Sequence, residues 1–349
     1  MIKSIAVVAI ATAAVVGLAS PAHAANNISG GGATFPFPLI STCAADFNAV
    51  QNNFVIQYNP TGSGTGKGNF SKGVYAFGQT DSKYNGGEPS FDWEYIPNIG
   101  GALAFPINLK NPKTGRTIGS SIRLKRVTLA KIMSGNIKVW NDKEIIKDNP
   151  GLANVLPPTQ ITVVYRSDSS GTTNNVLQYL NAWAPTIWPK VQDDMSVSFP
   201  GGKPLNNSIA GKGNAGVMVS VASKEGAIGY VDYSDTKGYP VARIENGLGE
   251  FIAPSPSSAA RNLANQTNVA PNGLVTLDYN IKVKNAYPLV IFSYMLVRTD
   301  GKGPNGLGVR QFADYIIQKC GPSKGASIGY VPVAGKVLET AKKLVQNIK

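Results

Sequence analysis

The sequence predicts an α/β protein built from two lobes. Of the 349 residues, those that remain after loss of the leader described next exceed the size at which one hydrophobic core usually keeps growing. Extended apolar runs alternate with helical patterns along this part of the chain, which is typical of α/β lobes. Three of the strand–helix junctions share turns rich in Gly, Ser and Thr.

The N-terminal leader comes first. Lys3 precedes an apolar run over residues 5–18, and residues 20–24 end in Ala-His-Ala. This pattern predicts a secretory signal peptide over residues 1–24, cleaved after Ala24. The alternative, a membrane anchor, needs ~20 apolar residues. No cysteine lies at the cleavage point for a lipid anchor, and no later run is long and apolar enough to span a bilayer. We therefore expect an exported, free periplasmic protein.

Two cysteines, Cys43 and Cys320, lie far apart in the sequence. In an oxidising compartment they can pair and close a very long loop. Two unpaired, buried thiols are the alternative.

The charge is strongly positive, with a formal net charge of +13. Part of the excess is local, because residues 110–147 are rich in Lys and Arg and poor in Asp and Glu. A basic field of this kind speeds the capture of anions. A solvated positive face is an equal alternative. Export and the absence of a recognisable module argue against nucleic-acid binding.

Histidine is the most informative absence. The one histidine, His23, lies within the leader, so the mature chain lacks Ser-His and Cys-His catalysis and the commonest metal ligand. Residues 62–68 are Gly-rich but fail the phosphate-loop pattern, because Thr61 and Gly68 stand where that pattern needs Gly and Ser or Thr. We expect a binding protein without a cofactor or metal rather than an enzyme.

The three junctions are the candidate binding elements. The first covers residues 28–35 and precedes a predicted helix over residues 37–50. The second, residues 61–66, follows the strand-like residues 54–58. The third, residues 166–172, follows the strand-like residues 161–165. Its helix has apolar residues spaced for burial, namely Val176, Leu177, Leu180 and Trp183.

Such junctions suit an oxyanion. Backbone N–H groups at a helix start lack partners, Ser and Thr add hydroxyl donors, and Gly lets the backbone approach closely. Each junction alone is more often an ordinary helix cap, but three together in an exported chain without histidine favour an anion site.

Two charged residues refine this hypothesis. Arg166 offers a bidentate contact to an oxyanion, or a structural pair with Asp168, or both. Asp81 accepts a hydrogen bond from a guest that still carries a proton, as phosphate does near neutral pH and sulfate does not. A helix cap is the alternative role of Asp81.

With these segments assembled, the chain resembles the phosphate-binding proteins of bacterial phosphate ABC transporters. The shared motifs run in order through most of the mature sequence, at residues 32–36 (GATFP), 58–66, 77–81 (FGQTD), 135–142 with 149–151, 166–172 (RSDSSGT), 213–217 and 226–232. Residues 64–65 and the segment 85–93 depart from the family pattern.

The resemblance implies a two-lobed periplasmic-binding-protein fold of type II, with two crossing strands as the hinge and the ligand in the cleft between the lobes. The crossing strands are expected at residues 101–106 and 287–292. The first lobe is then discontinuous, with residues 25–105 and 289–349, and residues 106–288 form the second. Cys43 and Cys320 then both belong to the first lobe.

The resemblance also implies a monomer that binds inorganic phosphate and delivers it to membrane permease subunits. The phosphate-binding residues that it implies are Thr34, Phe35, Ser63, Asp81, Arg166, Asp168, Ser170, Gly171 and Thr172. The alternatives are a binder of arsenate or sulfate, a secreted basic adhesion or matrix protein, and an esterase or phosphatase, which the missing histidine disfavours.

Overall fold

A computed structural model of the chain describes residues 25–51 and 53–349. The predicted leader, with its cleavage point after Ala24, lies outside the described residues. Within the described ranges, no helix is both long and apolar enough to cross a membrane.

The elements alternate as the sequence predicts. The strands are β1 (Asn26–Gly32), β2 (Phe54–Pro60), β3 (Phe77–Thr80), β4 (Trp93–Ala104), β5 (Ile107–Asn108), β6 (Arg123–Leu124), β7 (Thr162–Arg166), β8 (Ser208–Gly211), β9 (Ala227–Ile228), β10 (Val231–Asp232), β11 (Arg243–Glu245), β12 (Phe251–Ile252), β13 (Val290–Arg298) and β14 (Val331–Pro332). The helices are α1 (Phe37–Val50), α2 (Ser63–Ser71), α3 (Arg126–Met133), α4 (Lys143–Asp148), α5 (Gly171–Trp183), α6 (Gly213–Ser223), α7 (Tyr233–Thr236), α8 (Pro256–Leu263), α9 (Gly306–Tyr315), α10 (Gly321–Ile328) and α11 (Gly335–Val345).

The first lobe is built on a seven-stranded sheet. Its strand order is β10-β4-β13-β3-β1-β2, and β14 pairs with β4. Strands β1, β2 and β3 run parallel. Helix α1 connects β1 to β2 and helix α2 connects β2 to β3, as the crossover of parallel strands requires. Helix α1 buries one face against this sheet, with Leu39, Ile40, Cys43, Ala44 and Phe47. The carboxyl ends of β1, β2 and β3 therefore lie at one edge of the sheet.

The second lobe is built on a four-stranded sheet of order β5-β9-β7-β8, with a small sheet of order β12-β11-β6 beside it. Strands β7, β8 and β9 are parallel. Helix α5 follows β7 and helix α6 follows β8. Val217 and Val221 of α6 pack on Val164 of β7. The carboxyl ends of β7 and β8 again share one edge.

The predicted crossing strands pair with each other. Strands β4 and β13 are antiparallel, with Ala102 opposite Val290 and Gly100 opposite Phe292. Strand β10 comes from the range predicted for the second lobe, yet it joins β4 in the large sheet. The described part of the chain thus has the two-lobed α/β architecture, and the lobe boundaries at residues 105/106 and 288/289 stay a prediction.

The local predictions differ from the structure at two junctions. Helix α1 occupies the predicted residues, with Pro38 in its first turn. Strand β7 begins at Thr162, one residue later than predicted. Helix α2 begins at Ser63, so most of the predicted Gly-rich turn is the first turn of a helix. The last of these predictions was wrong because glycines were read as turn residues, whereas here they allow close packing.

The basic segment over residues 110–147 is mixed in character. Arg126 pairs with Glu245 and stacks over the Trp183 ring at 3.7 Å, and Lys131 pairs with Glu144. Lys110, Lys113, Arg116, Lys138, Lys143 and Lys147 are exposed. Part of the local charge is thus structural and part is a solvated face.

A disulfide links Cys43 of α1 to Cys320, at the end of a π-helical turn before α10. Its Cα atoms are 5.7 Å apart, and both residues are buried. The bond ties the N-terminal and C-terminal parts of the first lobe together across 277 residues of sequence.

We expect the Cys43→Ala/Cys320→Ala variant to lose about 4 kcal/mol of unfolding free energy, because a long loop is no longer closed in the unfolded chain. Urea unfolding of both proteins measures this difference. Reductant should weaken the wild type and leave the variant unchanged, and equal stabilities would contradict the expectation.

Candidate functional site

The first junction presents Thr34 and Phe35 beyond the end of β1. The Phe35 ring packs edge-on against Tyr330 with centroids 5.3 Å apart. Tyr330 Oη donates to the Phe35 carbonyl at 2.6 Å, which fixes the peptide that follows. Thr34 Oγ1 is buried, and the described residues offer it no hydrogen-bond partner. The first junction therefore presents the Thr34 hydroxyl without a partner among the described residues, next to a peptide fixed by Tyr330.

The second junction places Ser63 at the first position of α2. Ser63 is buried, and its N–H lies at a helix start where no acceptor exists within the helix. Gly66 of this helix has no room for a side chain, because a Cβ there would lie 2.5 Å from Gly32 Cα and 2.7 Å from the Gln79 carbonyl oxygen. Helix α2 thus packs backbone to backbone on β1 and β3, and its start reaches the sheet edge.

Asp81 follows β3 and does not cap a helix. Its carboxylate accepts from Ser293 Oγ at 2.6 Å and from Ser63 Oγ at 3.4 Å. Burial is the main cause that raises the pKa of Asp81 to about 7, and the nearby Asp193 adds to it. The two serine hydrogen bonds and the charge of Arg166 act in the opposite direction on this pKa. Asp81 thus exchanges its proton near neutral pH.

Arg166 ends β7 with its side chain 1% exposed. Nε and Nη2 donate to Asp168 at 2.7 and 2.5 Å, and Nη1 donates to Asn214 Oδ1 at 2.9 Å. Burial works to lower the pKa of Arg166, but the pairing with Asp168 outweighs it and raises that pKa. The structural pair of Arg166 with Asp168 is thus present. Three of the five guanidinium N–H groups are used, so two have no partner among the described residues and the oxyanion contact stays a prediction.

The third junction continues into the start of α5. Ser170 caps the helix by accepting from the Thr173 N–H at 3.2 Å. Gly171 and Thr172 occupy the first two helical positions, so their N–H groups have no acceptor within the helix. Thr172 Oγ1 is buried and has no partner within the described part of the chain.

These junctions meet between the two lobes. A Cβ built on Gly171 would lie 2.6 Å from Ser63 Oγ and 2.7 Å from Asp81 Cβ. The Gly64 N–H donates across the cleft to the Ser169 carbonyl at 3.1 Å. On the other side, one cavity is lined by Thr34 and Asp168. The structure thus brings Ser63, Asp81 and Gly171 together across the cleft and places Thr34 and Asp168 on one cavity. That all nine residues of the sequence-based site bind one ligand stays a prediction.

Sequence reasoning gave no role to several polar residues behind the site. Asn214, at the start of α6, donates from Nδ2 to the carboxylates of Asp232 and Asp235. Ser293 lies within the apolar strand β13. The signals were present: residues 211–214 repeat the strand–glycine–helix plan, and Ser293 is the one small polar residue in an otherwise apolar or aromatic run.

The charges of the site nearly cancel. Hydrogen bonds and the charge of Arg166 outweigh burial and keep the pKa of Asp168 low. Burial raises the pKa of Asp232 well above its ordinary value, and Asp235 adds to that shift. One cation and one firm anion therefore sit beside carboxyl groups that favour the neutral form. The surplus of N–H and O–H donors suits a guest that is rich in acceptors.

Among residues 25–51 and 53–349, no group of three His, Cys, Asp or Glu side chains is placed to hold a metal ion.

Comparisons with known proteins place this site in a context. A PBP superfamily domain matches residues 19–319. The chain is 35% identical over 285 residues to the phosphate-binding protein PstS of Xylella fastidiosa, covering 79% of this chain and 72% of that one. It is 30% identical to PstS of Haemophilus influenzae, covering 92% and 93%. A periplasmic phosphate-binding protein (PfluDING) solved with phosphate superposes with a TM-score of 0.72 at 22% identity, covering 91% and 93%.

The raised pKa of Asp81 predicts how the unfolding free energy of the ligand-free protein depends on pH. Because the folded-state pKa of about 7 lies above the ordinary value of 3.8, the folded chain holds a proton that the unfolded chain releases. This contribution to stability is present at low pH and is lost as pH rises through 7. Between pH 4 and pH 8, the unfolding free energy of the Asp81→Asn variant should therefore rise by about 4 kcal/mol relative to that of the wild type.

Urea unfolding at pH 4, 6 and 8 measures the difference. Asp300→Asn is the control, because its hydrogen bonds to Arg298 lower the pKa of Asp300 to about 2, so that variant should show no change above pH 4. A pH-independent difference for Asp81→Asn would contradict the prediction.

Proposed function

Because the chain belongs to the PBP superfamily and, within it, to the PstS phosphate-binding proteins, we propose that it captures inorganic phosphate and delivers it to an ABC importer. The relatives are named as binding proteins, and we propose a binding role without catalysis for this chain too. An exported monomer, freed from its leader after Ala24 and working in the periplasm beside its permease subunits, completes the proposal.

One observation carries this function. Thr34 Oγ1 from the first lobe and Thr172 Oγ1 from the second are both buried without a protein partner in the described ranges. An unpaired buried hydroxyl is costly. Thr172 lies in the first turn of α5 beside its free N–H groups, and Thr34 lines a cavity with Asp168, the partner of Arg166. A tetrahedral oxyanion accepts hydrogen bonds from all these directions, whereas an apolar or cationic guest would leave them unpaired.

The proposed contacts follow from the junctions. Thr34 and the backbone N–H of Phe35 donate from the first junction. Ser63 donates from the second through its N–H and its hydroxyl, whose single proton then leaves the 3.4 Å contact with Asp81. Arg166 contributes its two free N–H groups, with Asp168 holding the guanidinium. Ser170, Gly171 and Thr172 close the remaining side at the helix start, where the partial positive charge also favours an anion.

Asp81 supplies the specificity in this proposal. Protonated phosphate donates to the Asp81 carboxylate, whereas sulfate has no proton to share. At pH 8 the carboxylate is mostly ionised, because its pKa is about 7, and it repels sulfate. Arsenate also carries a proton and remains the alternative anion.

Phosphate capture has a direct test in titration calorimetry of the mature protein. At pH 8 we expect phosphate to bind at least a hundredfold more tightly than sulfate, because an unpaired buried charge costs several kcal/mol. Asp81→Asn should narrow this ratio at least tenfold, mainly by admitting sulfate. Equal binding of the two anions by the wild type, or an unchanged ratio in the variant, would refute the role of Asp81.

Thr172→Val tests the carrying observation, because valine keeps the shape and removes the hydroxyl. Phosphate affinity should fall about tenfold, the worth of one hydrogen bond to a charged guest, while ligand-free stability holds or rises. Thr173→Val is the matched control, since Thr173 Oγ1 pairs with Tyr230 Oη at 2.7 Å. That variant should lose stability instead. If Thr173→Val weakened phosphate binding and Thr172→Val lowered stability instead, phosphate would bind elsewhere.

A further inference from the structure

Lys67 belongs to the Gly-rich residues 62–68, which do not match the phosphate-loop pattern of nucleotide-binding proteins. The proposed phosphate contacts give Lys67 no role. It lies on α2 in the first lobe, with its side chain 10% exposed. Its Nζ donates to Asp193 Oδ2 at 2.8 Å, to the Lys83 carbonyl at 2.9 Å and to Ser82 Oγ at 3.1 Å. All three N–H groups of this ammonium are therefore paired, and none is left for a ligand.

Asp193 belongs to the second lobe, in the segment between α5 and β8. Its carboxylate also accepts from Asn174 Nδ2 at 2.9 Å, and its carbonyl accepts from the Ser170 N–H at 2.8 Å. Asp193 is thus fastened to the first turn of α5, which carries Ser170, Gly171 and Thr172. Lys67 is one helical turn from Ser63. The Lys67–Asp193 pair links the second and third junctions directly.

This ion pair depends on closure of the cleft. Its two charges come from different lobes, and the other partners of Lys67 Nζ lie in the first lobe. Asp193 Oδ1 is held by Asn174 of the second lobe, while Ser82 Oγ of the first lobe joins Lys67 in donating to Asp193 Oδ2, at 3.0 Å. Moving the lobes apart breaks the pair and exposes both charges to water. Removing only Lys67 leaves Asp193 buried in the closed form without its cation, which penalises that form.

We propose that Lys67 and Asp193 are positioning residues for phosphate capture. Their ion pair forms as the lobes close and holds the starts of α2 and α5 against the ion. The inference rests on the proposed phosphate binding. A contact made only in the closed form shifts the population toward it and so tightens the apparent affinity.

The test compares Lys67→Met, Asp193→Asn and the double variant in phosphate titrations and in stopped-flow release. Each single variant should bind phosphate about tenfold more weakly or worse, the range seen for close interfacial charge pairs. The loss should appear in the release rate, and the double variant should lose less binding free energy than the sum of the two single losses, because the two residues share one interaction. Ligand-free thermal stability should stay at the wild-type value.

Lys72→Met is the matched control. Lys72 follows α2, is exposed, and carries the same charge, so its loss reports any general attraction of anions. Wild-type affinity in Lys67→Met, an equal loss in Lys72→Met, or strictly additive losses in the double variant would overturn the inference. A matching drop in ligand-free stability would assign Lys67 an ordinary structural role and overturn it as well.

Small-angle scattering separates this inference from the proposed function. With saturating phosphate, Lys67→Met should keep a larger open fraction than the wild type. A wild type that binds no phosphate refutes the proposed function and, with it, this inference. Identical profiles in every condition would overturn the inference alone.

Discussion

Arg166 is the group on which the rest of the site depends, because a guanidinium that is 1% exposed must be compensated from nearby. Asp168 compensates it with two hydrogen bonds and is itself held by the Gly213 N–H at 2.9 Å. Asn214 takes a third guanidinium N–H and turns its amide toward Asp232 and Asp235. The ends of β7 and β8 and the start of α6 are thus arranged around one cation. That arrangement leaves two guanidinium N–H groups without a partner among the described residues.

The carboxyl groups around this cation divide by environment. Asp168 touches the guanidinium and keeps a low pKa, whereas burial away from such contact raises the pKa of Asp81 and of Asp232. Only the first is a firm anion at neutral pH, so the cleft does not repel a negatively charged guest. In the proposed binding mode, the pKa of Asp81, about 7, lets its carboxyl group respond to the proton on the guest.

The sequence predicted those parts of the fold that depend on local pattern. Helix α1 has a clear apolar face and a proline in its first turn, and it lies where it was predicted. Helix α2 has one large buried apolar side chain, Phe70, and otherwise packs through its backbone at Gly66 on β1 and β3. The family motifs end parallel strands of both sheets, β1 and β3 in the larger and β7 in the smaller, which brings Ser63, Asp81 and Gly171 together across the cleft.

Residues whose role is made by distant contacts were not predicted. Asp193 lies in an irregular segment without a motif, and its partner Lys67 was judged only against the nucleotide-loop pattern. Ser293 reads as one polar residue in a buried strand until β13 is placed beside β3, where it donates to Asp81. Strand β10 joins the large sheet although it follows the second-lobe motifs. Each of these depends on how sheets pair, which a single sequence does not specify.

Closure also limits what the cleft can hold. Backbone from the two lobes meets directly where the Gly64 N–H donates to the Ser169 carbonyl, and Asn175 Nδ2 of α5 donates to the Asp81 carbonyl at 2.7 Å. Gly171 approaches Ser63 so closely that even a methyl group has no room. These contacts surround the donors on the side of Asp81, so a substituent on the oxygen that faces Asp81 would have to break them. The geometry therefore favours a bare oxyanion over an organic ester, because an ester would hold the lobes apart and forfeit the contacts that close them.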